Sequence, residues 1–342
     1  MSRSSSPSRS GAGPLVVGVT MGHPSGIGPE VVVKSLCDAS AAQMRVVVFG
    51  DAAVLERAAA SRGLSRRFRR AVVSGLAGIV EVSALRERES RPGAPSEAGS
   101  LAQVDYIKEA VAWALDGRVA ALSTAPISKA GMQTGGCNFP GHTELLARLA
   151  GVNDTAMMFA GRRLRVVLVT THVPLSDVPA ILTRELILRR LRLAARGMRV
   201  LFRSPRPRVG VAALNPHGGE DGRIGREEVR VIAPAVEAAR KEGIDASGPH
   251  PADTLFFAAM RGGFDLALAM YHDQAMIAVK SAGIGRSVNI TLGLPFVRTS
   301  PDHGTAFDIA AKGRADAAGM ARAIRAAAGL APRLCGKDPW TA

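Results

Sequence analysis

The chain has 342 residues, 47% of them hydrophobic and 4% aromatic, with a formal net charge of +15. This length is typical of about two domains of ~150 residues, and the apolar content suffices for a full core. No run of ~18 apolar residues predicts a membrane span. The arginines are dispersed along the chain, whereas a nucleic-acid site needs a basic stripe with aromatic side chains. An anionic substrate or cofactor is therefore favoured, and a nucleic-acid-binding protein is the less favoured alternative.

Strands and helices alternate from the first elements to the last. The strands are predicted at 15–21, 45–51, 119–126, 155–161, 164–175, 207–216, 264–273 and 287–297. Helices are predicted from Pro29 and at 51–60, 101–116, 142–151, 184–201, 226–243 and 303–313, with a last helix in DAAGMARAIRAAAG. This alternation is typical of the α/β class, with a largely parallel sheet between helical layers and a cleft for a small ligand.

The first residues of the chain and its cysteines bear on localisation. Residues 1–13 lack the apolar segment of a secretory signal and predict a disordered leader. Cys37, Cys137 and Cys335 show no CxxC spacing and no even count, which argues against a disulfide framework. We therefore expect a cytoplasmic protein.

The loop from Gly22 to Glu30 joins the first strand to the first helix. Its glycines permit a tight turn and the close approach of a ligand, and the start of a helix favours anions. The loop is not GxGxxG, and the chain lacks GxxxxGK[ST], GxSxG and HExxH. A ligand-binding loop and a purely structural turn both remain open.

Three histidines each end a predicted strand: His172, His217 and His272. Parallel strands bring their carboxyl ends to one edge of a sheet, so these side chains can converge. Three neutral imidazoles leave one coordination position open, as in catalytic divalent-metal sites. Sequence separation alone leaves a structural role for each histidine open.

A second set of side chains suits an anion. Lys280, Asn289 and Arg298 are spaced nine residues apart, and His142 and Thr143 open a predicted helix. A lysine point charge and an arginine fork are what a phosphate or carboxylate clamp uses. The combination favours a phosphorylated small molecule as the ligand.

Several strings of the chain match a known family. GIGPE, STAPISK, FPGHTE, NPHGGE, PADT, MYHDQ and VNITLGLPFVRTSPDHGTA resemble the 4-hydroxythreonine-4-phosphate dehydrogenase family of vitamin B6 biosynthesis, over about residues 15 to 330. That family resembles the isocitrate and isopropylmalate dehydrogenases in fold. The resemblance implies two α/β domains with mainly parallel sheets and a cleft between them. Residues 14–130 plus 285–342 would form the cofactor-side domain, and 131–284 the metal, substrate and dimerisation domain.

The resemblance also implies roles for residues of this chain. His172, His217 and His272 match the metal ligands, contributed by both subunits of a homodimer. Asp253 and Asp273 are acidic neighbours of that site that could take a proton or orient a ligand. The substrate-binding positions match His142, Thr143, Lys280, Asn289 and Arg298. The cofactor-side segment includes Gly304, Thr305 and Asp308.

The implied reaction is the NAD- or NADP-dependent oxidation of 4-phosphohydroxy-L-threonine to 2-amino-3-oxo-4-phosphooxybutanoate. Decarboxylation to 3-amino-2-oxopropyl phosphate follows, with one divalent ion (zinc, magnesium or cobalt) per site. Alternatives are a paralogue acting on phosphorylated threonate or erythronate, or on a dihydrodiol, and more distantly a metal-dependent lyase or hydrolase without NAD. His23 departs from the family, where the loop carries an acid at that position, and His250 has no predicted role.

Overall fold

The structure is a computed structural model that describes residues 15–38, 44–134, 139, 141–283 and 287–334. The predicted leader, Cys137 and Cys335 lie outside these residues, whereas Cys37 is a buried free thiol. Within the described part of the chain, no helix is both long and apolar enough to span a bilayer.

The described strands form one eleven-stranded sheet in the order β3-β2-β1-β4-β11-β10-β5-β6-β9-β7-β8. The strands are β1 Val16–Thr20, β2 Arg45–Gly50, β3 Ala77–Glu81, β4 Ala121–Thr124, β5 Ala156–Ala160, β6 Arg165–Leu168, β7 Val209–Ala212, β8 Ala246–His250, β9 Leu266–Ala269, β10 Val288–Leu292 and β11 Val297–Ser300.

Two parallel regions of the sheet are joined by antiparallel strands. β3, β2, β1, β4 and β11 run parallel on one side, and β6, β9, β7 and β8 on the other. Between them, β10 pairs antiparallel with both β11 and β5, and β5 pairs antiparallel with β6. The α/β class with a mainly parallel sheet is thus confirmed. The predicted division into two domains stays a prediction.

The helices connect and cover these strands. They are α1 Gly28–Leu36, α2 Ala52–Ala60, α3 Ser65–Val73, α4 Glu97–Leu115, α5 Lys129–Thr134, α6 His142–Leu149, α7 Val178–Ile181, α8 Arg184–Phe202, α9 Ala233–Lys241, α10 Ala252–Met260, α11 His272–Ser281 and α12 Ala318–Leu330. A π-helical turn at Glu228–Ile232 precedes α9. Every residue of β4, β7, β9, β10 and β11 is buried. Such strands read as continuous apolar runs because both faces of the sheet are covered.

Two sequence predictions differ from the fold. The predicted strand 287–297 is a hairpin, because Gly293 turns the chain with φ +95° between β10 and β11. A Cβ at this glycine would lie 2.3 Å from the carbonyl oxygen of Asp154. The predicted helix 303–313 is wrong, since only a 3-10 turn forms at Phe307–Ile309. Ala306 and Ala311 adopt φ values of 41° and 60°, in the left-handed region that interrupts a right-handed helix.

Candidate active site

A cavity of about 310 Å³ opens beside the ends of β4, β6 and β9, next to the β10–β11 hairpin. Its size suits a small polar ligand. The predicted site residues that line it are His142, Thr143, His172, His272, Lys280, Asn289, Arg298 and Gly304. Side chains separated by up to about half of the chain therefore meet at one place, and two of the three strand-end histidines, His172 and His272, are among them.

Arg298 is the buried charge of this cavity. It lies in β11 opposite Thr291 of β10 and is only 2% exposed. Its Nη2 and Nη1 donate to the hydroxyl oxygens of Thr124 (2.7 Å) and Thr291 (3.0 Å). Burial lowers the pKa of Arg298 to about 10, and the carboxylate of Glu144 acts in the opposite direction. Among the described residues no carboxylate lies within 4.0 Å of its nitrogens, so this cation is available to an anionic ligand.

His172 and His272 form a pair of imidazoles in the same cavity, with ring centroids 5.8 Å apart. His172 follows β6, and His272 is the first residue of α11. The pKa of His172 is lowered by burial and, less strongly, by the charges of Lys129 and His272. His272 Nδ1 lies 2.6 Å from Asp273 Oδ1, a contact that fixes the ring and leaves Nε2 for another partner. Neutral imidazoles are the form that binds divalent metals.

His217 and Asp253 lie apart from this cavity. His217 sits in the irregular turn Pro216–Gly222, its side chain is 74% exposed, and its Nδ1 is 3.0 Å from Glu220 Oε1. Asp253 is an exposed residue in the first turn of α10. In the described parts of this one chain, no three His, Cys, Asp or Glu side chains come together as a metal site. The chain thus brings two of its three predicted ligands together.

Three side-chain atoms around the cavity are buried without a hydrogen-bond partner in the described structure: His142 Nε2, Asn289 Oδ1 and His303 Nε2. Buried polar atoms of this kind are costly unless something binds them. Burial lowers the pKa of His142 well below its usual value, and the charges of Arg298 and Lys129 add to the effect. A ligand hydroxyl or amine can donate to Asn289 Oδ1, and the histidine nitrogens can pair with a hydroxyl, an amine or, when protonated, a phosphate oxygen.

Sequence reasoning missed several residues that line the cavity, among them Lys129, Glu144 and Asp302. Lys129 begins α5 after β4, and Glu144 lies in the first turn of α6. Both belong to strings that carry the resemblance, STAPISK and FPGHTE, so their position after a strand or at a helix start was an available signal. The cavity therefore holds carboxylates as well as cations.

Of the predicted cofactor residues, one lines the cavity and two lie in the segment that follows it. Gly304 lines the cavity, and the carbonyl oxygen of Thr305 accepts a hydrogen bond from the Ile27 amide at 2.9 Å. Asp308 is exposed in the turn that follows. The opening loop and the segment 303–309 are therefore in direct contact through a backbone hydrogen bond.

His23 lies in that opening loop and is completely buried. Its Nδ1 accepts a hydrogen bond from the Ser25 amide at 3.1 Å, and its ring packs edge-to-face on Phe307. Burial lowers the pKa of His23 to about 4, so the ring is neutral at physiological pH. His250 is a different case, half-buried at the end of β8 with Nε2 2.9 Å from Ser247 Oγ and outside the cavity.

Comparison with known proteins adds an independent line of evidence. The family described as "Pyridoxal phosphate biosynthetic protein PdxA" matches residues 42–327. A 4-hydroxythreonine-4-phosphate dehydrogenase of Geobacter metallireducens is 46% identical over 321 residues, 92% of this chain and 94% of that protein. A D-threonate 4-phosphate dehydrogenase of Cupriavidus necator is 45% identical over 329 residues, 93% of this chain and 98% of that protein. The crystal structure of the Klebsiella pneumoniae 4-hydroxythreonine-4-phosphate dehydrogenase has a TM-score of 0.83 at 40% identity, covering 94% of this chain and 99% of that chain.

Replacing Arg298 by Met should weaken the binding of inorganic phosphate by at least about tenfold, because one charge-assisted contact contributes ~1.5–3 kcal/mol. Methionine keeps much of the side-chain volume, so folding should survive. Isothermal titration at low salt measures the affinity. The matched control is Arg206→Met at an exposed position outside the cavity. Equal phosphate affinity in wild type and Arg298→Met would contradict an anion site at Arg298.

The buried neutral His23 should make folding sensitive to acid. Its pKa is about 4 in the folded protein against 6.5 for the free group, so between these values the unfolded chain binds more protons. The contribution of His23 to the free energy of unfolding is complete above about pH 6.5. It is lost as the pH falls towards 4, and the loss amounts to up to about 3 kcal/mol. In urea unfolding, His23→Asn should lose less stability than wild type between pH 7 and pH 4. The other histidines are shared by both proteins and cancel, so identical pH dependences would contradict a neutral, buried His23.

Proposed function

The chain belongs to the family described as pyridoxal phosphate biosynthetic protein PdxA, and we propose that it is a divalent-metal-dependent dehydrogenase of 4-phosphohydroxy-L-threonine. The proposed reaction oxidises the C3 hydroxyl with NAD or NADP and then decarboxylates the 3-oxo acid to 3-amino-2-oxopropyl phosphate. The observation that carries the proposal is the buried Arg298 guanidinium, without a carboxylate partner among the described residues, in one cavity with the His172–His272 pair.

The cations of the cavity are proposed to hold the two anionic ends of this substrate. Arg298 is fixed by two threonine hydroxyls, and Lys280 and Asn289 line the same cavity. His142 and Thr143 lie in the first turn of α6, where amide groups and the helix dipole favour an anion. A clamp of this kind fixes the distance between the reacting carbon and the nicotinamide, which is where much of the rate enhancement in such a reaction originates.

The donor set supports a divalent ion. His172 and His272 are close, the pKa of His172 is lowered, and Asp273 orients His272. A third ligand is needed for the predicted three-histidine set, and we propose that the partner subunit's His217 supplies it in a homodimer. The exposure of His217 in its own chain is what such an exchange requires. Of zinc, cobalt and magnesium, this imidazole set favours zinc or cobalt, because magnesium prefers oxygen ligands.

The bound ion and nicotinamide would together supply a Lewis acid for the hydroxyl and enolate oxygens and an acceptor for the hydride. This chain's own residues bind and orient the substrate around them. Asp273 is engaged by His272, so we assign it the orientation of that ring. Asp253 remains the candidate for proton uptake. Like His217, it would act in the site of the other subunit of the homodimer. The segment with Gly304, Thr305 and Asp308 is proposed to carry the dinucleotide in a cytoplasmic enzyme.

One alternative substrate has specific support. The D-threonate 4-phosphate dehydrogenase of Cupriavidus necator is 45% identical to this chain, against 46% for the 4-hydroxythreonine-4-phosphate dehydrogenase of Geobacter metallireducens. The two substrates differ in the group at C2, amine or hydroxyl. Glu144 and Asp302 line the cavity and favour a substrate that carries an ammonium group. A dihydrodiol carries no phosphate group, which is the ligand that Lys280, Asn289 and Arg298 together favour, so it is the less favoured alternative.

Substrate identity is tested by following dinucleotide reduction with 4-phosphohydroxy-L-threonine, D-threonate 4-phosphate and unphosphorylated 4-hydroxythreonine. We expect the first to give the highest kcat/KM and loss of the phosphate to lower it by about a hundredfold or more. A chelator should abolish activity, and added metal should restore it. A preference for D-threonate 4-phosphate would move the assignment to that alternative. Metal-dependent turnover without any dinucleotide would indicate a lyase or hydrolase.

Sharing of the metal site between subunits predicts complementation. His172→Ala and His217→Ala should each be inactive, but mixed dimers have one intact site if His217 acts in the partner. When the two variants are mixed and their subunits exchange at random, about half of the dimers are mixed, and each of these has one intact site of two. Roughly a quarter of wild-type activity should therefore return. The matched control mixes His172→Ala with His272→Ala, which disables both sites of every dimer. Recovery in the control, or none in the first mixture, would contradict a shared site.

A further inference from the structure

We propose that His23 is a positioning residue for the dinucleotide, acting through Phe307 on the wall of the cavity formed by residues 303 and 304. The inference rests on the proposed function, because it takes segment 303–309 as the cofactor side. His23 itself does not line the cavity. Its effect must therefore pass through the contacts of its ring.

The orientation of the His23 ring is fixed from two sides. The Ser25 amide donates to Nδ1 at 3.1 Å, so Nδ1 carries the lone pair and the ring proton lies on Nε2. Nε2 faces the Ser100 hydroxyl oxygen on α4 at 3.5 Å. Gly99 of the same helix packs closely as well, since a Cβ there would lie 3.4 Å from His23 Cε1. The imidazole is thus held between its own loop and α4.

Phe307 is the aromatic partner of this ring. The two ring centroids are 5.0 Å apart at an interplanar angle of 90°, an edge-to-face geometry that aromatic pairs prefer. Phe307 follows Ala306, whose φ of 41° is unfavourable for a residue other than glycine. A conformation of that kind persists only where surrounding contacts impose it. The His23 ring is one of those contacts.

A third segment closes the same junction. The Gly93 amide donates to the Ser25 carbonyl oxygen at 2.8 Å. A Cβ on Gly93 would lie 3.1 Å from the Phe307 carbonyl oxygen, so this loop also packs against the turn. The opening loop, the loop around Gly93 and the turn around Phe307 therefore meet around one buried imidazole.

The junction continues into the cavity over a short distance. Ile27 donates to the Thr305 carbonyl oxygen at 2.9 Å, and a Cβ on Gly26 would lie 3.0 Å from that oxygen. His303 and Gly304, the next residues towards the amino terminus, line the cavity. Lys280 and Arg298 lie instead on α11 and β11. Loss of the His23 ring should therefore lower the affinity for the dinucleotide and leave the affinity for phosphate unchanged.

The test compares His23→Ala, His23→Asn and Phe307→Ala with wild type in the full-length protein. Fluorescence titration gives the Kd of NADH and NADPH, and calorimetry gives the Kd of inorganic phosphate. In all three variants we expect the preferred dinucleotide to bind about tenfold more weakly, which is the contribution of one aromatic pair expressed as an affinity. Phosphate affinity should stay within about twofold of wild type, because its clamp is on other elements.

The matched control is His250→Ala. His250 is half-buried and has contacts of the same kind as His23. The Ser247 hydroxyl oxygen lies 2.9 Å from its Nε2, and the centroid of the Phe264 ring lies 5.3 Å from that of the imidazole. His250 lies outside the cavity, so its loss should leave both Kd values unchanged. The control separates positioning from the general cost of removing a packed imidazole.

The outcomes are distinguishable. Dinucleotide affinity within about twofold of wild type in the His23 variants overturns the inference. An equal loss of phosphate and dinucleotide affinity in those variants also overturns it. So does a loss of dinucleotide affinity in His250→Ala as large as that in the His23 variants. Failure of wild type to bind either dinucleotide overturns the proposed function, and the inference with it. If His23→Ala does not fold, His23→Asn and Phe307→Ala decide by the same criteria.

Discussion

The site depends on a guanidinium group that the fold buries without a neutralising carboxylate among the described residues. Arg298 lies inside the continuous sheet, where an unpaired charge is unfavourable unless hydrogen bonds and a counter-ion compensate it. Thr124 and Thr291 supply hydrogen bonds from the two neighbouring strands but no charge. The remaining attraction is directed at whatever anion enters the cavity. Neutral histidines nearby add no competing positive charge, because burial and the cations together lower the pKa values of His142 and His172.

The antiparallel strands at the middle of the sheet make this arrangement possible. In a purely parallel sheet, the side chains at the carboxyl ends would be available, but those in mid-strand would be covered. Here β10 runs antiparallel to β11 and carries Asn289 to the cavity, and the neighbouring strand β11 carries Arg298, beside the loops that follow β6 and β9. The histidine pair and Arg298 are therefore supplied by different elements, whereas Lys280 shares α11 with His272.

Much of this could be predicted from the sequence, and the failures have physical causes. Apolar periodicity located most strands, and the position of His172 and His272 at strand ends followed from it. The hairpin between β10 and β11 was missed because Gly293 is one glycine within a continuous apolar run. The helix predicted at 303–313 was wrong because tertiary contacts, including that of Phe307 with His23, impose left-handed conformations on two alanines that favour helices by propensity. Lys129 and Glu144 were missed although they stand after a strand and at a helix start, because that position alone does not show which side chains face each other across the cavity.

The hydrogen bonds that hold Arg298 also constrain when the protein can become active during folding. Arg298 and Thr124 are 174 positions apart in the chain, and the two central hydrogen bonds that pin the guanidinium span that separation. Contacts of such long range form slowly, since the loss of chain entropy precedes the stabilising interaction. Strand β11 lies between β4 and β10, so the two parallel regions cannot become one sheet before this late segment inserts. A nascent chain must therefore be synthesised as far as β11 before the site around Arg298 can form.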